Sequence, residues 1–128
     1  MANEISITLS ITAEKNGAKF TRQESFKDDM AGDAWVTGVQ QVSSASSEAL
    51  VTHGDIATYG WVYLKNLGTN PDLHVDFGHD DPAAASGDDA AFRLYGGESC
   101  IVKLAAITEL EALSSSGTQA VEYAIIEL

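Results

Sequence analysis

The chain has 128 residues, 45% of them apolar, and its 19 Asp and Glu against 7 Lys and Arg give a formal charge of -12. That length fits one domain over residues 1–128 with a core able to stand without staples, and the composition excludes wholesale disorder. The acidic balance repels phosphate backbones and anionic lipid, which sets nucleic acid and membranes aside as partners and favours solubility first, docking onto basic surfaces second.

At the N-terminus, MANEISITLS lacks the basic segment and apolar block of a signal peptide. Ile5, Ile7, Leu9 and Ile11 alternate with Ser6, Thr8, Ser10 and Thr12, the period of two that sends one side of a strand to a core and the other to water. Asn16-Gly17 follows, the dipeptide suited to positive φ at both centres of a type I′ hairpin turn. A returning strand is expected over 18–27, with Phe20 and Phe26 as its heavy apolar residues, ending where Asp28, Asp29 and Gly32 mark a turn.

Trp35 to Val42 is β-branched and weakly alternating, with Gly38 placed for a bulge, and SSASS breaks it. A short strand near 48–52 ends at His53-Gly54-Asp55, and a long strand is expected over 56–67. LHVDFG supplies another, with Leu73, Val75 and Phe77 on one face and His74 and Asp76 on the other. Residues 80–91, DDPAAASGDDAA, have no apolar rhythm and form a loop. FRLYGGESCIVKL gives two strand segments around Gly96-Gly97, and a last pair is expected at 109–113 and 120–128 across SSSGT. Thr108 and Glu111 have capping-box spacing, but about two helical turns is marginal at that length, so a strand is favoured there over a helix.

Eight to ten short strands with frequent turn signals predict an all-β fold, an antiparallel, jelly-roll-like β-sandwich, with a small barrel as the alternative. No apolar run approaches the ~20 residues of a membrane helix. Cys100 is the single cysteine, so neither an internal disulfide nor a cysteine zinc cluster can form; in SCIVKL a buried thiol is expected rather than a nucleophile.

For metals, Asp80, Asp81, Asp88 and Asp89 with Asp76 nearby offer hard oxygen ligands, but calcium-loop spacing and a closing glutamate are lacking. His74, Asp76 and His79 are a weaker transition-metal set, because His79 lies beyond Gly78. No nucleophile elbow, phosphate loop or zinc-protease motif occurs, and pairs such as Glu109 and Glu111 are what chance gives in so acidic a chain. The expectation is a protein that is not an enzyme and uses no cofactor and no metal.

The stretch YGWVYLKNLGTN is apolar on both sides when laid out as a strand: Tyr59, Trp61, Tyr63 and Leu67 share one face, Val62 and Leu64 the other. A strand in a small antiparallel domain buries one face, so Tyr59, Trp61, Tyr63 and Leu67 are the candidate subunit interface, covered by a further copy.

From the same stretch onward the order of elements resembles small β-sandwich structural proteins of tailed-bacteriophage virions. The residues that carry the likeness are GWVYLKNLGTN (60–70), HVDFG (74–78), FRLYGGESCIVKL (92–104) with its Gly97-Glu98 turn, and ALSSSGTQAVEYAIIEL (112–128). It spans about residues 56–128, with 80–91 longer than the pattern expects. The resemblance implies a capsid decoration or cement protein, or a head-fibre or spike component, assembled in the host cytoplasm and resident in the virion. Its partners would be the major capsid or other virion proteins and itself, a homotrimer being favoured. Strong strands at both chain ends, without long polar tails, add the expectation that Met1 to Glu4 and Leu128 are exchanged or docked between subunits. A carbohydrate- or receptor-binding module or fibre knob is the alternative.

Overall fold

The computed structural model describes residues 4–30, 32, 34–52, 54–79, 90–104 and 107–127. The chain divides into two compact units, Met1–Ala31 and Gly32–Leu128.

The first unit is a two-stranded ribbon, β1 (Glu4–Lys15) against β2 (Ala18–Asp29). Asn16 and Gly17 turn the chain with φ of 52° and 81°, so Lys15 pairs directly with Ala18, as a type I′ turn requires. The tight turn fixes the register of everything behind it. β2 runs two residues past the expected end because Asp28 and Asp29 pair with Ile5 and Glu4. Opposite residues of an antiparallel pair share a face, so Leu9, Ile11, Phe20 and Phe26 stand on one side of the ribbon. The other side carries Thr8 with Ser25, hydroxyl oxygens 3.2 Å apart, and a 2.7 Å ion pair from Lys27 to Glu4.

Among its described residues the second unit holds eight strands: β3 (Trp35–Ser43), β4 (Glu48–Ala49), β5 (Tyr59–Asn66), β6 (His74–Gly78), β7 (Phe92–Tyr95), β8 (Ser99–Lys103), β9 (Glu111–Ser114) and β10 (Thr118–Glu127). They pair as nested antiparallel couples, β3 with β10, β4 with β9, β5 with β8 and β6 with β7, like one long ribbon doubled back on itself. Rolling that ribbon brings β10 beside β5 and β9 beside β6. Two four-stranded sheets result, ordered β3-β10-β5-β8 and β4-β9-β6-β7, which is the connectivity of a jelly roll.

The core lies between these sheets. Val42, Tyr59, Val62, Leu64, Val121, Tyr123 and Ile125 come from the first sheet and Val75, Phe77, Leu94 and Ala112 from the second, with Leu50, Ile56 and Leu110 filling between. Phe77 and Phe92, directly paired across β6 and β7, stack with ring centres 5.3 Å apart. One end of the sandwich is pinned by polar groups rather than apolar ones. Buried Asn66 donates to the Leu94 carbonyl at 3.1 Å and to the Gln119 amide oxygen at 3.0 Å, and accepts from Gly68 N–H at 2.8 Å. Gln119 in turn donates to the His74 carbonyl and to Ser114 Oγ, at 2.8 and 2.9 Å, tying β10 to the opposite sheet. Each buried polar atom of this cluster is satisfied, which lets a polar group sit in a low-dielectric interior without a desolvation penalty left unmet.

One local expectation holds and two change. Residues 111–114 are strand, as the length argument favoured. The long strand at 56–67 shortens to Tyr59–Asn66. Gly38 makes no bulge, since β3 and β10 pair in unbroken register from Ser43 to Trp35; its missing side chain instead leaves room for the Tyr123 ring. The 80–89 part of the acidic loop, His53, Met1 and Leu128 lie outside the described residues.

Candidate functional site

The outward side of the β3-β10-β5-β8 sheet is the candidate contact surface, and pairing register builds it row by row. Trp35, Ile126, Trp61 and Lys103 form one row across the four strands; Thr37, Ala124, Tyr63 and Ile101 form the next; Val39, Glu122, Lys65 and Ser99 the third. An outward sheet face normally wears polar side chains. Here Trp35 and Val39 are 64% and 59% exposed, and Ile101 is exposed as well. Lys103 sets its ammonium 5.7 Å from the centre of the Trp61 ring, a distance at which the ring face attracts a cation.

Tyr63 stands in the middle row and donates a 3.1 Å hydrogen bond to Glu122 Oε1. Burial, then that hydrogen bond and the Glu122 charge, push the Tyr63 hydroxyl above its ordinary pKa. Beside it, small Ala124 leaves a shallow groove of about 370 Å³ lined also by Thr37, Gly38, Val39 and Tyr123. The groove is open and mostly apolar, with one carboxylate at its wall.

The four residues expected to share an interface do not share a face. Where β5 meets the end of β10, Ile126 pairs with Trp61 but Glu127 pairs with Tyr59, so Gly60 is one residue in excess and the strand bulges there. The bulge reverses the side on which Tyr59 lies. Tyr59 is 1% exposed and belongs to the core with Val62 and Leu64, while Trp61 is outward yet only 8% exposed. Tyr63 is half-buried and Leu67 exposed. Trp35, Val39 and Ile101 are the surface residues that strand-by-strand reasoning missed. The alternation of WVTGVQQV does put Trp35, Thr37 and Val39 on one side, but nothing local says that this side faces outward.

Asp76 belongs to both of the ligand sets weighed and set aside above. Asp76 is buried and already engaged: Arg93 Nε reaches its Oδ1 at 2.7 Å, Arg93 Nη2 its Oδ2 at 3.3 Å, and His74 Nε2 lies 3.5 Å from Oδ2. The hydrogen bond that Arg93 donates to Asp76 holds the guanidinium above its usual pKa. His74 also packs edge-on against Tyr95, with ring centres 5.2 Å apart. These groups form a structural ion pair on the outward side of β6 and β7, and among the described residues no group of three or more His, Cys, Asp or Glu is placed to hold a metal. Asp80, Asp81, Asp88 and Asp89 fall outside the described residues. Cys100 is half-buried against the core, and burial raises its thiol pKa, which lowers the fraction of nucleophilic thiolate. Among the described residues no helix is long and apolar enough to cross a membrane.

Fold and surface together define an all-β protein, a jelly-roll sandwich with an apolar outward sheet face. No protein-family model matches the chain, and the comparison with curated proteins yields no match.

Proposed function

We propose that this is a non-enzymatic structural protein of a bacteriophage virion, a capsid decoration or cement protein or a head-spike component, which binds capsid subunits and copies of itself. A trimer is the favoured assembly, formed in the host cytoplasm and retained in the particle. The observation that carries this reading is the outward face of the β3-β10-β5-β8 sheet, where Trp35 and Val39 stand exposed on one edge strand and Ile101 on the other. Large exposed apolar side chains on one sheet face mark a protein contact, and a tryptophan buried in such a contact commonly carries much of its energy. The charge of -12 fits a role on the outside of a shell better than one against packaged nucleic acid. The likeness of residues 56–128 to virion β-sandwich proteins supplies the setting.

Two measurements test it. Mass spectrometry of purified virus particles from the genome that encodes the chain should find the protein, and its absence from them sinks the virion reading. Cosedimentation with capsids should weaken roughly 30-fold for Trp35→Ser, the factor that about 2 kcal/mol represents; unchanged cosedimentation removes this sheet face from the contact.

A second reading, a carbohydrate- or receptor-binding knob, draws on the groove beside Tyr63. An aromatic ring next to the Glu122 carboxylate is suited to stacking on a sugar and accepting from its hydroxyls. Glycan-array binding lost in Tyr63→Ala would favour it over the cement role.

A further inference from the structure

The ribbon of β1 and β2 poses a separate problem. A two-stranded hairpin by itself is at best marginally stable in water, and this one leaves much of its apolar face uncovered. Ile11 and Phe20 are 55% and 50% exposed, and Leu9 and Phe26 are exposed beside them. The opposite face is already suited to water, with hydroxyls and an ion pair along it.

We infer that this apolar face is a seam between copies of the chain, each ribbon covering the Leu9, Ile11, Phe20 and Phe26 face of another. The inference rests on the self-association part of the reading above and not on its trimer: it assigns the association to a particular element that joins copies two by two. Charge selects the occupant. Residues 1–31 hold four of the seven basic residues and five of the nineteen acids, a net charge of -1, whereas residues 32–128 carry -11. Two copies repel each other through their sandwiches and approach freely only through their ribbons. The face carries two charges of each sign, Lys15 and Arg22 against Glu24 and Asp28, and two of them lie a single same-face step apart, Arg22 opposite Ile11 and Glu24 opposite Leu9. Arg22 is kept on that face, its guanidinium 5.5 Å from the centre of the Phe20 ring. Laid against a like face, Arg22 of one copy meets Glu24 of the other, so the polar residues of the seam are matched by the same residues of its partner. Stacking a second ribbon on the first doubles the strands to four, enough to shelter an apolar layer between them.

The test is sedimentation of the full chain across a concentration series. Ile11→Ser with Phe20→Ser should raise the dissociation constant at least tenfold. Arg22→Glu should weaken association comparably, and Arg22→Glu with Glu24→Arg should restore it; this pair leaves every apolar residue in place, so its outcome does not depend on how well the serine variant folds. If the parent associates and all these variants associate equally well, the seam is elsewhere and the inference falls while self-association stands. A parent that stays monomeric overturns both. Variants that keep the parent's oligomeric state but lose cosedimentation with capsids assign the face to a different protein, which also overturns the inference.

Discussion

Tyr123 lies across Gly38 so closely that a Cβ at position 38 would stand 2.9 Å from the Tyr123 hydroxyl oxygen and 3.1 Å from its Cζ. The same hydroxyl donates a 2.7 Å hydrogen bond to the Val51 carbonyl, so the ring cannot swing aside without breaking it. Gly38→Ala should therefore destabilise by about 1–3 kcal/mol, the usual range for an overpacked core. Tyr123→Phe keeps the ring and loses one bond, at a cost of about 1 kcal/mol. Urea unfolding of both variants checks the ranking. Gly38→Ala as stable as the parent would mean that the ring moves freely.

Asn66 makes a second prediction. Its side chain serves three partners, the Leu94 carbonyl, the Gln119 amide oxygen and the Gly68 N–H. Asn66→Leu approximates the volume but strands those groups in the interior, each worth about 1–3 kcal/mol unless water reaches it. A loss of at least about 2 kcal/mol is expected by chemical denaturation, with Gln119→Leu adding less than its own separate effect because the two belong to one network. Strict additivity in that double-mutant cycle would show that the two amides act independently.

The Arg93 and Asp76 pair should behave asymmetrically. Asp76 has a side chain only 8% exposed while Arg93 is 37% exposed, so removing the arginine leaves a buried carboxylate beside His74 without its guanidinium partner. Arg93→Met is expected to cost about 2 kcal/mol, below the full penalty of a buried pair because water reaches the guanidinium. Adding Asp76→Asn should recover part of that loss. A double variant less stable than Arg93→Met alone would show that the carboxylate has other work.

Alkali should weaken the sandwich through its tyrosines. Burial raises the pKa of Tyr59, Tyr63 and Tyr123; at Tyr59 the Leu110 backbone and Thr52 partly offset it and the Glu109 charge adds to it. A raised pKa in the folded state means that the unfolded chain releases its proton first. Stability is thus unaffected below the ordinary tyrosine value of about 10 and falls as pH rises above it, until the folded groups ionise too. Melting temperatures at pH 9 and pH 11 should differ accordingly, and Tyr59→Phe should shrink the difference. An equal drop in that variant would place the alkaline sensitivity at other groups.

How much of this was legible beforehand differs by element. The alternation from Ile5 to Ile11 and the Asn16-Gly17 turn are local signals, and hairpin, register and polar face all follow from them. Most later strands were also visible, because a period of two broken by Gly, Asn and Ser is written within each segment. The antiparallel sandwich itself followed from their number and brevity.

The faces were not legible in the same way. Period two says that Trp35 and Val36 point oppositely, but which one meets the core depends on β10 and β5 lying alongside, strands separated from β3 by long stretches of chain. The grouping of Tyr59 with Trp61 assumed an unbroken strand, and the extra residue at Gly60 exists only against the pairing offered by β10. Composition and local pattern thus determined a negatively charged, all-β chain with a ribbon at its start. Tertiary pairing decided that Tyr59 goes inward and that Trp35, Val39 and Ile101 gather outward, because a face is a property of the sheet, which forms only when distant strands meet.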